Sequence, residues 1–387
     1  MAVLRALTVP PGSAVSLLLP ALQRVLEGDG SALVVTAAPD EAASAALRVG
    51  EEIDDDVALV VTTSGTTGAP KGALLTAAAL TASASATHHR LGGPGSWLLA
   101  VAPYHIAGLQ VLVRSVLAGR TPVELDVSAG FDVTQLPGAI RRLDPGQRYT
   151  SLVAAQLAKA LTDPAATAAL AELDAVLIGG GPAPRRVVAA AAAAGIRVVR
   201  TYGMSETAGG CVYDGVPLDG VRVRILADGR IALGGPTLAN GYRNPVDPDP
   251  FAEPGWFLTD DLGAVDDSGV LRVLGRVDDA ISTGGLTVLP GPVETALSSH
   301  PAVADCAVFG LADDRLGQRV VAAIVVRAGR AAPTLEALRA QVARTLDVTA
   351  APRELHIVDE LPRRGIGKID RAALVRRVAG DQVASDQ

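Results

Sequence analysis

The sequence predicts an α/β protein: a large N-terminal domain with mostly parallel sheets and helices plus a small antiparallel β subdomain, and a small α+β C-terminal domain. Three observations predict this fold. Short apolar segments alternate with alanine-rich segments early in the chain, short strand patterns separated by Gly and Asp turns follow from about Val221, and a strand, helix, strand order begins after Asp278. With 387 residues, 49% of them hydrophobic, the chain is long enough to bury more than one core.

The individual elements are predicted from periodicity and turn residues. Apolar runs that end in turns indicate buried strands, namely VALVV, SWLLAVAP, AVLIGGG and IRVVRTYG. The intervening segments TAAALTASASATHHRL and RRVVAAAAAAG are typical of crossover helices, and such alternation favours a parallel sheet covered on its faces. Later, VRVRILADGRIALGG and GAVDDSGVLRVLGR predict antiparallel hairpins, and LEALRAQVARTL predicts an amphipathic helix. The opening segment is interpreted as an amphipathic lead-in.

Composition limits the possible partners and location. A formal net charge of −7 without a basic block argues against a nucleic-acid partner, because phosphate backbones are bound through clustered Lys and Arg. Cys211 and Cys306 lie far apart without CxxC spacing, which indicates two reduced thiols. No stretch has the roughly 20 apolar residues that cross a bilayer. We therefore expect a cytoplasmic protein without stable membrane insertion, and self-association as a homodimer stays open.

Lysine is rare, which draws attention to where it occurs. Only three of the 34 basic residues are lysine, and two of them, Lys71 and Lys368, lie in glycine-rich motifs. The first motif, TTSGTTGAPKG at residues 62–72, follows an apolar strand. Its hydroxyls and backbone N–H groups can surround an anion while the lysine adds positive charge. The pattern predicts a triphosphate cradle, although it lacks the Walker A order.

The next two motifs predict a nucleotide site at adjacent strand ends. TYGMSET at 201–207 and GGGP at 179–182 each close an apolar strand, which is where open α/β sheets bind nucleotides. Tyr202 can stack on a purine, and Glu206 offers an oxygen ligand to Mg²⁺. Further on, TDDLG contains Asp260 and Asp261, and GRVDD contains Arg276. Either aspartate can accept the ribose hydroxyls, or both can simply solvate a turn.

The fourth motif, LPRRGIGKIDR at 361–371, places Lys368 between glycines. A lysine on such a segment can neutralise charge that develops between a carboxylate and an α-phosphate. In isolation, a basic tail of this kind is more often only solvated.

The four motifs, in this order, resemble the superfamily of acyl-CoA synthetases, nonribosomal peptide adenylation domains and luciferases. The resemblance covers the chain from about residue 55 and implies ATP, Mg²⁺ and coenzyme A as the small molecules used. It divides the chain into 1–277, an ATP- and acyl-binding domain shortened at its front, and 278–387, a mobile domain that carries the catalytic lysine. Asp260 stands where the family usually has glycine. The implied catalytic residues are Lys368, His105 and Glu206, with Glu206 as the metal ligand and Asp278 as the hinge. The implied nucleotide and coenzyme A contacts are Thr63, Ser64, Gly65, Thr66, Thr67, Gly68, Lys71, Gly179, Gly180, Gly181, Tyr202, Gly203, Ser205, Asp261, Arg276, Gly284 and Gly285.

The segment around His105 gives information about the acyl substrate. The run HIAGLQVLVRSVLAG and the shortened front resemble the o-succinylbenzoate-CoA ligases of menaquinone biosynthesis, whose substrate is an aromatic dicarboxylate. Arg114 lies in this apolar run and needs an anionic partner, either an internal Asp or Glu or a second carboxylate of the substrate. We predict His105, Arg114 and Arg90 as substrate contacts, with His88 and His89 as further candidates. Two alternatives remain: a CoA ligase for another aryl or fatty acid, and a noncatalytic nucleotide-binding relative.

Overall fold

A computed structural model describes residues 2–28, 31–62, 70–364 and 368–385. Two sheets form the N-terminal half. The first has the order β3-β1-β2-β4-β5 and contains β1 (Ala2–Thr8), β2 (Ser31–Thr36), β3 (Glu52–Ile53), β4 (Val57–Val61) and β5 (Ala73–Thr76). The second has the order β12-β11-β10-β9-β8-β6-β7 and contains β6 (Ser96–Leu99), β7 (Val123–Glu124), β8 (Arg148–Val153), β9 (Ala175–Gly179), β10 (Val198–Met204), β11 (Gly209–Tyr213) and β12 (Val216–Pro217).

The pairing within these sheets confirms the predicted α/β class. In the second sheet the neighbours from β7 to β10 are parallel, and only β11 and β12 at one edge are antiparallel. The helices of this half are α1 (Leu19–Leu26), α2 (Glu41–Ala46), α3 (Ala77–Leu91), α4 (Ile106–Leu117), α5 (Leu136–Arg141), α6 (Ala154–Ala160), α7 (Pro164–Ala171) and α8 (Arg185–Ala193). The predicted strands and crossover helices thus form at the predicted positions.

The opening of the chain differs from the prediction. The amphipathic segment exists as α1, in which Leu22 and Val25 are buried while Arg24 points outward. It is preceded by β1, which pairs with β2 and β3 inside the first sheet. The residues of β1, AVLRALT, alternate too weakly in polarity for the pattern to have predicted a strand.

Helix α3, which contributes to the candidate site, begins and ends at residues with clear capping roles. The Thr76 hydroxyl accepts a hydrogen bond from the Ala79 amide at 3.0 Å, which satisfies a donor of the first turn. The helix ends at Gly92, whose φ of +99° favours glycine. Between these caps, small residues on the buried face allow α3 to pack directly against α4.

Among the described residues, the C-terminal half contains two further large sheets and a two-stranded one, and it confirms the predicted change to short antiparallel strands. The antiparallel sheet β13-β14-β15-β16 contains β13 (Arg222–Ile225), β14 (Arg230–Gly234), β15 (Trp256–Val265) and β16 (Leu271–Arg276). The last large sheet contains β17 (Ile281–Thr283), β18 (Leu286–Val288), β19 (Val303–Asp313), β20 (Gly317–Val326) and β21 (Glu354–Ile357), packed with α9 (Pro290–Ser298) and α10 (Leu335–Ala343). The chain closes with β22 (Arg363–Arg364), β23 (Lys368–Ile369) and α11 (Arg371–Ser385). Within the described ranges, no helix is both long and apolar enough to cross a membrane.

Candidate active site

The predicted ribose residues lie together. Asp261 on β15 is paired in register with Arg276 on β16. The hydroxyl of Tyr202, at the end of β10, donates to Asp261 Oδ2 at 2.7 Å, and Arg276 Nη1 lies 3.7 Å from Asp261 Oδ1. Burial, followed by the Asp261 charge, raises the pKa of Tyr202, so this hydroxyl remains a donor. Since an ionised carboxylate has about four acceptor positions, Asp261 can also receive ribose hydroxyls.

The structure distinguishes the two aspartates of TDDLG. The Asp261 side chain is 14% exposed, whereas that of Asp260 is 58% exposed. Both lie within strand β15 and not in a turn. Arg276 Nη2 contacts Asp260 at 3.3 Å and Asp278, the predicted hinge residue, at 2.9 Å. Arg276 therefore joins the candidate ribose carboxylate to the candidate hinge.

Glycines allow the strand ends around this corner to approach closely. A Cβ at Gly179 would lie 2.5 Å from the Thr201 hydroxyl, and one at Gly203 would lie 2.1 Å from the Gly209 carbonyl oxygen. Because β9 and β10 are parallel, their carboxyl ends meet at one edge. The GGGP and TYGMSET motifs are thus adjacent, as predicted from sequence. Ser205 begins the short helical turn Ser205–Thr207 at this edge.

Glu206 lies in that turn, 7% exposed. Its Oε1 accepts a hydrogen bond from the Tyr242 hydroxyl at 2.7 Å. In the part of the chain that the structure describes, no Lys or Arg forms an ion pair with it. A buried carboxylate without a protein cation is unfavourable by itself, so it fits an external cation. Within the described ranges, no cluster of three or more His, Cys, Asp or Glu could hold a metal ion by itself.

Most of the predicted triphosphate loop lies outside the described residues, because residues 63–69 are not described. The predicted contacts in that range are Thr63, Ser64, Gly65, Thr66, Thr67 and Gly68. Its two flanks are adjacent, because Val61 on β4 pairs with Ala73 on β5. Lys71 lies at the exit, with its Nζ 5.5 Å from the centre of the Tyr242 ring. The two flanks of the predicted loop are therefore held together beside Glu206 and Tyr242.

Tyr242 was not predicted from the sequence. Its segment, NGYRN at residues 240–244, is rich in turn-forming residues and has no periodicity. The signal that could have identified it is an aromatic residue between polar turn residues, which is weak without a structure.

The second group of predicted residues lies between α3 and α4. His105 is the N-cap residue of α4, and burial lowers its pKa. Arg114, in the last turn of α4, is 3% exposed. Its Nη2 donates to the Tyr213 hydroxyl at 3.4 Å, and its guanidinium lies 4.9 Å from the Trp97 ring centre. Across all described residues, no carboxylate forms an ion pair with Arg114, so the expected internal Asp or Glu partner is not found there.

Several buried polar atoms around Arg114 also lack hydrogen-bond partners among the described residues. They are Arg114 Nε, His88 Nε2, Gln110 Oε1 and Trp97 Nε1. Gln110 and Arg114 are one helical turn apart and so lie on one face of α4. Burial, and then the Arg114 charge, lower the pKa of His88 to about 4. This group, which we call the α3/α4 polar cluster (His88, Trp97, Gln110, Arg114 and Tyr213), has unused hydrogen-bonding capacity and a net positive charge.

The other nominated basic residues have local partners. Arg90 Nη2 donates to the Pro217 carbonyl at 2.7 Å, and its Nη1 lies 3.4 Å from the carbonyls of Tyr213 and Val216. His89 pairs with Asp219 on the surface. The role of Arg90 as a substrate contact stays a prediction.

The C-terminal candidates occupy two hairpins. Gly284 and Gly285, with φ of +58° and +80°, form the two-residue turn between β17 and β18, a geometry that favours glycine. The backbone of Lys368 lies in β23, paired with β22, and the glycines before it, 365–367, lie outside the described residues.

Comparisons with known proteins agree with this geometry. The family model for AMP-binding enzymes matches residues 4–243, and the model for the AMP-binding enzyme C-terminal domain matches 292–368. A probable 2-succinylbenzoate-CoA ligase from Mycobacterium tuberculosis is 80% identical over 98% of this chain and 99% of its own length. The 2-succinylbenzoate-CoA ligase of Geobacillus kaustophilus is 35% identical over 77% of this chain and 64% of its own length.

A solved structure is similar over nearly the whole chain. The o-succinylbenzoate CoA synthetase (MenE) from Bacillus subtilis, in complex with the acyl-adenylate intermediate OSB-AMP, matches with a TM-score of 0.75 at 27% identity, over 96% of this chain and 87% of that one. The same protein in complex with ATP and magnesium ion also has a TM-score of 0.75. With a family model that matches more than half of its length, the chain belongs to the family of AMP-binding enzymes.

Proposed function

We propose that this chain is an AMP-forming ligase that activates o-succinylbenzoate with ATP and transfers the acyl group to coenzyme A. The observation that carries the choice of substrate is the α3/α4 polar cluster, where Arg114 is buried without a carboxylate partner among the described residues. A dicarboxylic acid can supply that partner while its other carboxylate reacts. The relatives named as 2-succinylbenzoate-CoA ligases support this choice.

In the first step of the proposed reaction, an oxygen of the succinyl carboxylate attacks the α-phosphorus of ATP, and the bond to pyrophosphate breaks to leave the mixed anhydride, acyl-AMP. Lys368 and Lys71 neutralise negative charge around the phosphates. Asp261, held by Tyr202, and Arg276 orient the ribose. Glu206 is the residue that would hold Mg²⁺, which when bound neutralises phosphate charge.

In the second step the thiolate of coenzyme A attacks the acyl carbon and AMP leaves. We propose that residues 278–387 rotate as a unit about Asp278 between the two steps. This movement withdraws Lys368 and presents the Gly284–Gly285 turn to the pantetheine arm. The contact of Arg276 with Asp278 supports a link between the ribose corner and this hinge. His105 lines the acyl site at the start of α4.

Pyrophosphate release dependent on ATP, acid and coenzyme A tests the function. We expect turnover with o-succinylbenzoate and formation of its CoA thioester, detected by mass spectrometry. Benzoylpropionate, which lacks the benzoate carboxylate, and a medium-chain fatty acid should react much more slowly. Faster turnover of either acid would contradict the proposed substrate, and absence of pyrophosphate release with every acid would contradict the proposed reaction.

A further inference from the structure

We infer that Tyr242 is a positioning residue for acid activation, and that its single ring orients both the carboxylate of Glu206 and the ammonium of Lys71. The hydroxyl donates to Glu206 Oε1 at 2.7 Å, while Lys71 Nζ lies 5.5 Å from the ring centre. The inference rests on the proposed roles of Glu206 and Lys71 and adds a residue that no sequence motif had identified.

The backbone around Tyr242 is fixed to the base of the triphosphate loop. The Leu74 amide donates to the Gly241 carbonyl at 3.0 Å, and the Asn240 amide donates to the Leu74 carbonyl at 2.9 Å. Tyr242 itself forms a bridge with Ala73. The chain from 240 to 244 therefore runs as an extra antiparallel segment beside β5.

The same segment holds the loop exit through its next two residues. The Arg243 amide donates to the Gly72 carbonyl at 2.8 Å, and the Asn244 amide donates to the Lys71 carbonyl at 3.1 Å. The Asn244 side-chain amide donates to the Pro70 carbonyl at 2.9 Å. These bonds fix the backbone from which the Lys71 side chain extends beside the segment that carries Tyr242.

Aromatic packing orients the ring from its other side. Phe251 meets Tyr242 edge-on, with centroids 5.5 Å apart, and Phe257 lies 4.8 Å from Phe251. Such packing restricts rotation of the ring and so fixes the hydroxyl that faces Glu206.

This arrangement has a direct chemical consequence. Because Tyr242 holds one oxygen of Glu206, the plane of the carboxylate is set before any ligand binds. Because an aromatic face attracts a cation, the ring also restrains Lys71 on the side of the loop base. A hydrogen-bonding partner that orients a metal ligand typically contributes 10-fold to 100-fold to metal affinity or activity. Tyr242 thus orients the Glu206 carboxylate and the Lys71 ammonium before a nucleotide and its metal bind.

Two substitutions separate the two contacts. Tyr242→Phe keeps the ring and its contact with Lys71 but removes the hydroxyl, whereas Tyr242→Leu removes both. Tyr149→Phe serves as the matched control, because it also removes a buried tyrosine hydroxyl, one that donates to the Leu91 and Gly93 carbonyls in a different part of the fold. Metal binding is measured by electron paramagnetic resonance of Mn²⁺ with an ATP analogue that has a methylene group between its α- and β-phosphates, which needs no turnover.

We expect Tyr242→Phe to weaken Mn²⁺ binding about tenfold while the affinity for the analogue at saturating metal stays unchanged. Tyr242→Leu should weaken both. Tyr149→Phe should lower the unfolding temperature and leave the metal titration as in the wild type. An unchanged titration in Tyr242→Phe, or an equal shift in Tyr149→Phe, overturns the inference. If the wild type binds the metal with the analogue but activates no acid, the proposed function fails while the role of Tyr242 is still measured.

Discussion

Replacing Arg114 with leucine tests the proposed substrate most directly. The guanidinium is 3% exposed and is stabilised by one long hydrogen bond, 3.4 Å to Tyr213, and by the face of Trp97. Burial lowers its pKa, as expected for a cation without a compensating anion. A charged hydrogen bond in such a site contributes about 1.5 to 3 kcal/mol. Its loss should reduce kcat/KM for o-succinylbenzoate roughly tenfold to a hundredfold.

Arg114→Leu should change the free energy of unfolding in the opposite direction from a substitution that breaks a structural ion pair. Removing one partner of a buried pair typically costs about 3 to 5 kcal/mol, whereas replacing a poorly compensated buried charge with an apolar residue is often neutral or stabilising. Tyr213 keeps its other hydrogen bond, to the Thr87 hydroxyl at 2.9 Å. We therefore expect Arg114→Leu to unfold at the wild-type temperature or slightly above it.

The assay compares kcat/KM for o-succinylbenzoate and for benzoylpropionate in wild type, Arg114→Leu and Arg114→Lys. The preference for o-succinylbenzoate, expressed as the ratio of the two kcat/KM values, should fall in Arg114→Leu. It should recover in part in Arg114→Lys, which keeps the charge but not the planar guanidinium group. The KM for ATP serves as the internal control and should not change. An equal loss with both acids, together with a lower unfolding temperature, would assign Arg114 to the structure alone and refute the reasoning.

Three further predictions concern other residues. Lys368→Ala should strongly reduce acyl-AMP formation and spare thioester formation from supplied acyl-AMP, because the proposed mechanism uses Lys368 only in the first domain pose; equal loss of both half-reactions argues against it. Glu206→Gln should raise the half-saturating Mg²⁺ concentration at least tenfold; an unchanged titration places the ligand elsewhere. His88, with its pKa near 4 in the fold and near 6.5 unfolded, stays neutral when buried. Stability should therefore fall by up to about 3 kcal/mol as pH drops from about 6.5 to 4, and His88→Gln should flatten that dependence in chemical denaturation; an unchanged slope contradicts it.

The fold was largely predictable because its elements carry strong local signals. VALVV and AVLIG are short apolar runs bounded by turns, and both form buried strands. Strand β1 escaped prediction because AVLRALT has polar residues without strict alternation, and its place between β2 and β3 depends on pairing with distant residues. Register between such segments is a property of the assembled sheet.

The candidate site, like the fold, contains residues that the sequence predicts and others that it does not. Short motifs predict Tyr202, Glu206 and Asp261, because the residue types in each motif already indicate nucleotide or metal binding. Their mutual contacts, including the bond from Tyr202 to Asp261, could not be read from spacing. Tyr242 was missed because its two partners are distant in sequence and become neighbours only when the segment 240–244 pairs beside β5.

The opening of the chain packs against α4, the helix that carries Arg114. Leu18, Leu22 and Val25 belong to the same core as the apolar residues of α3 and α4, and the carboxylate of Glu124 accepts the amides of residues 14 and 15 at 3.1 Å each. This packing excludes water from the helix that carries Arg114. A low local dielectric makes a lone charge unfavourable and, for the same reason, strengthens its attraction to an arriving carboxylate. Under the proposed function, the second carboxylate of a dicarboxylic substrate would compensate the buried charge of Arg114.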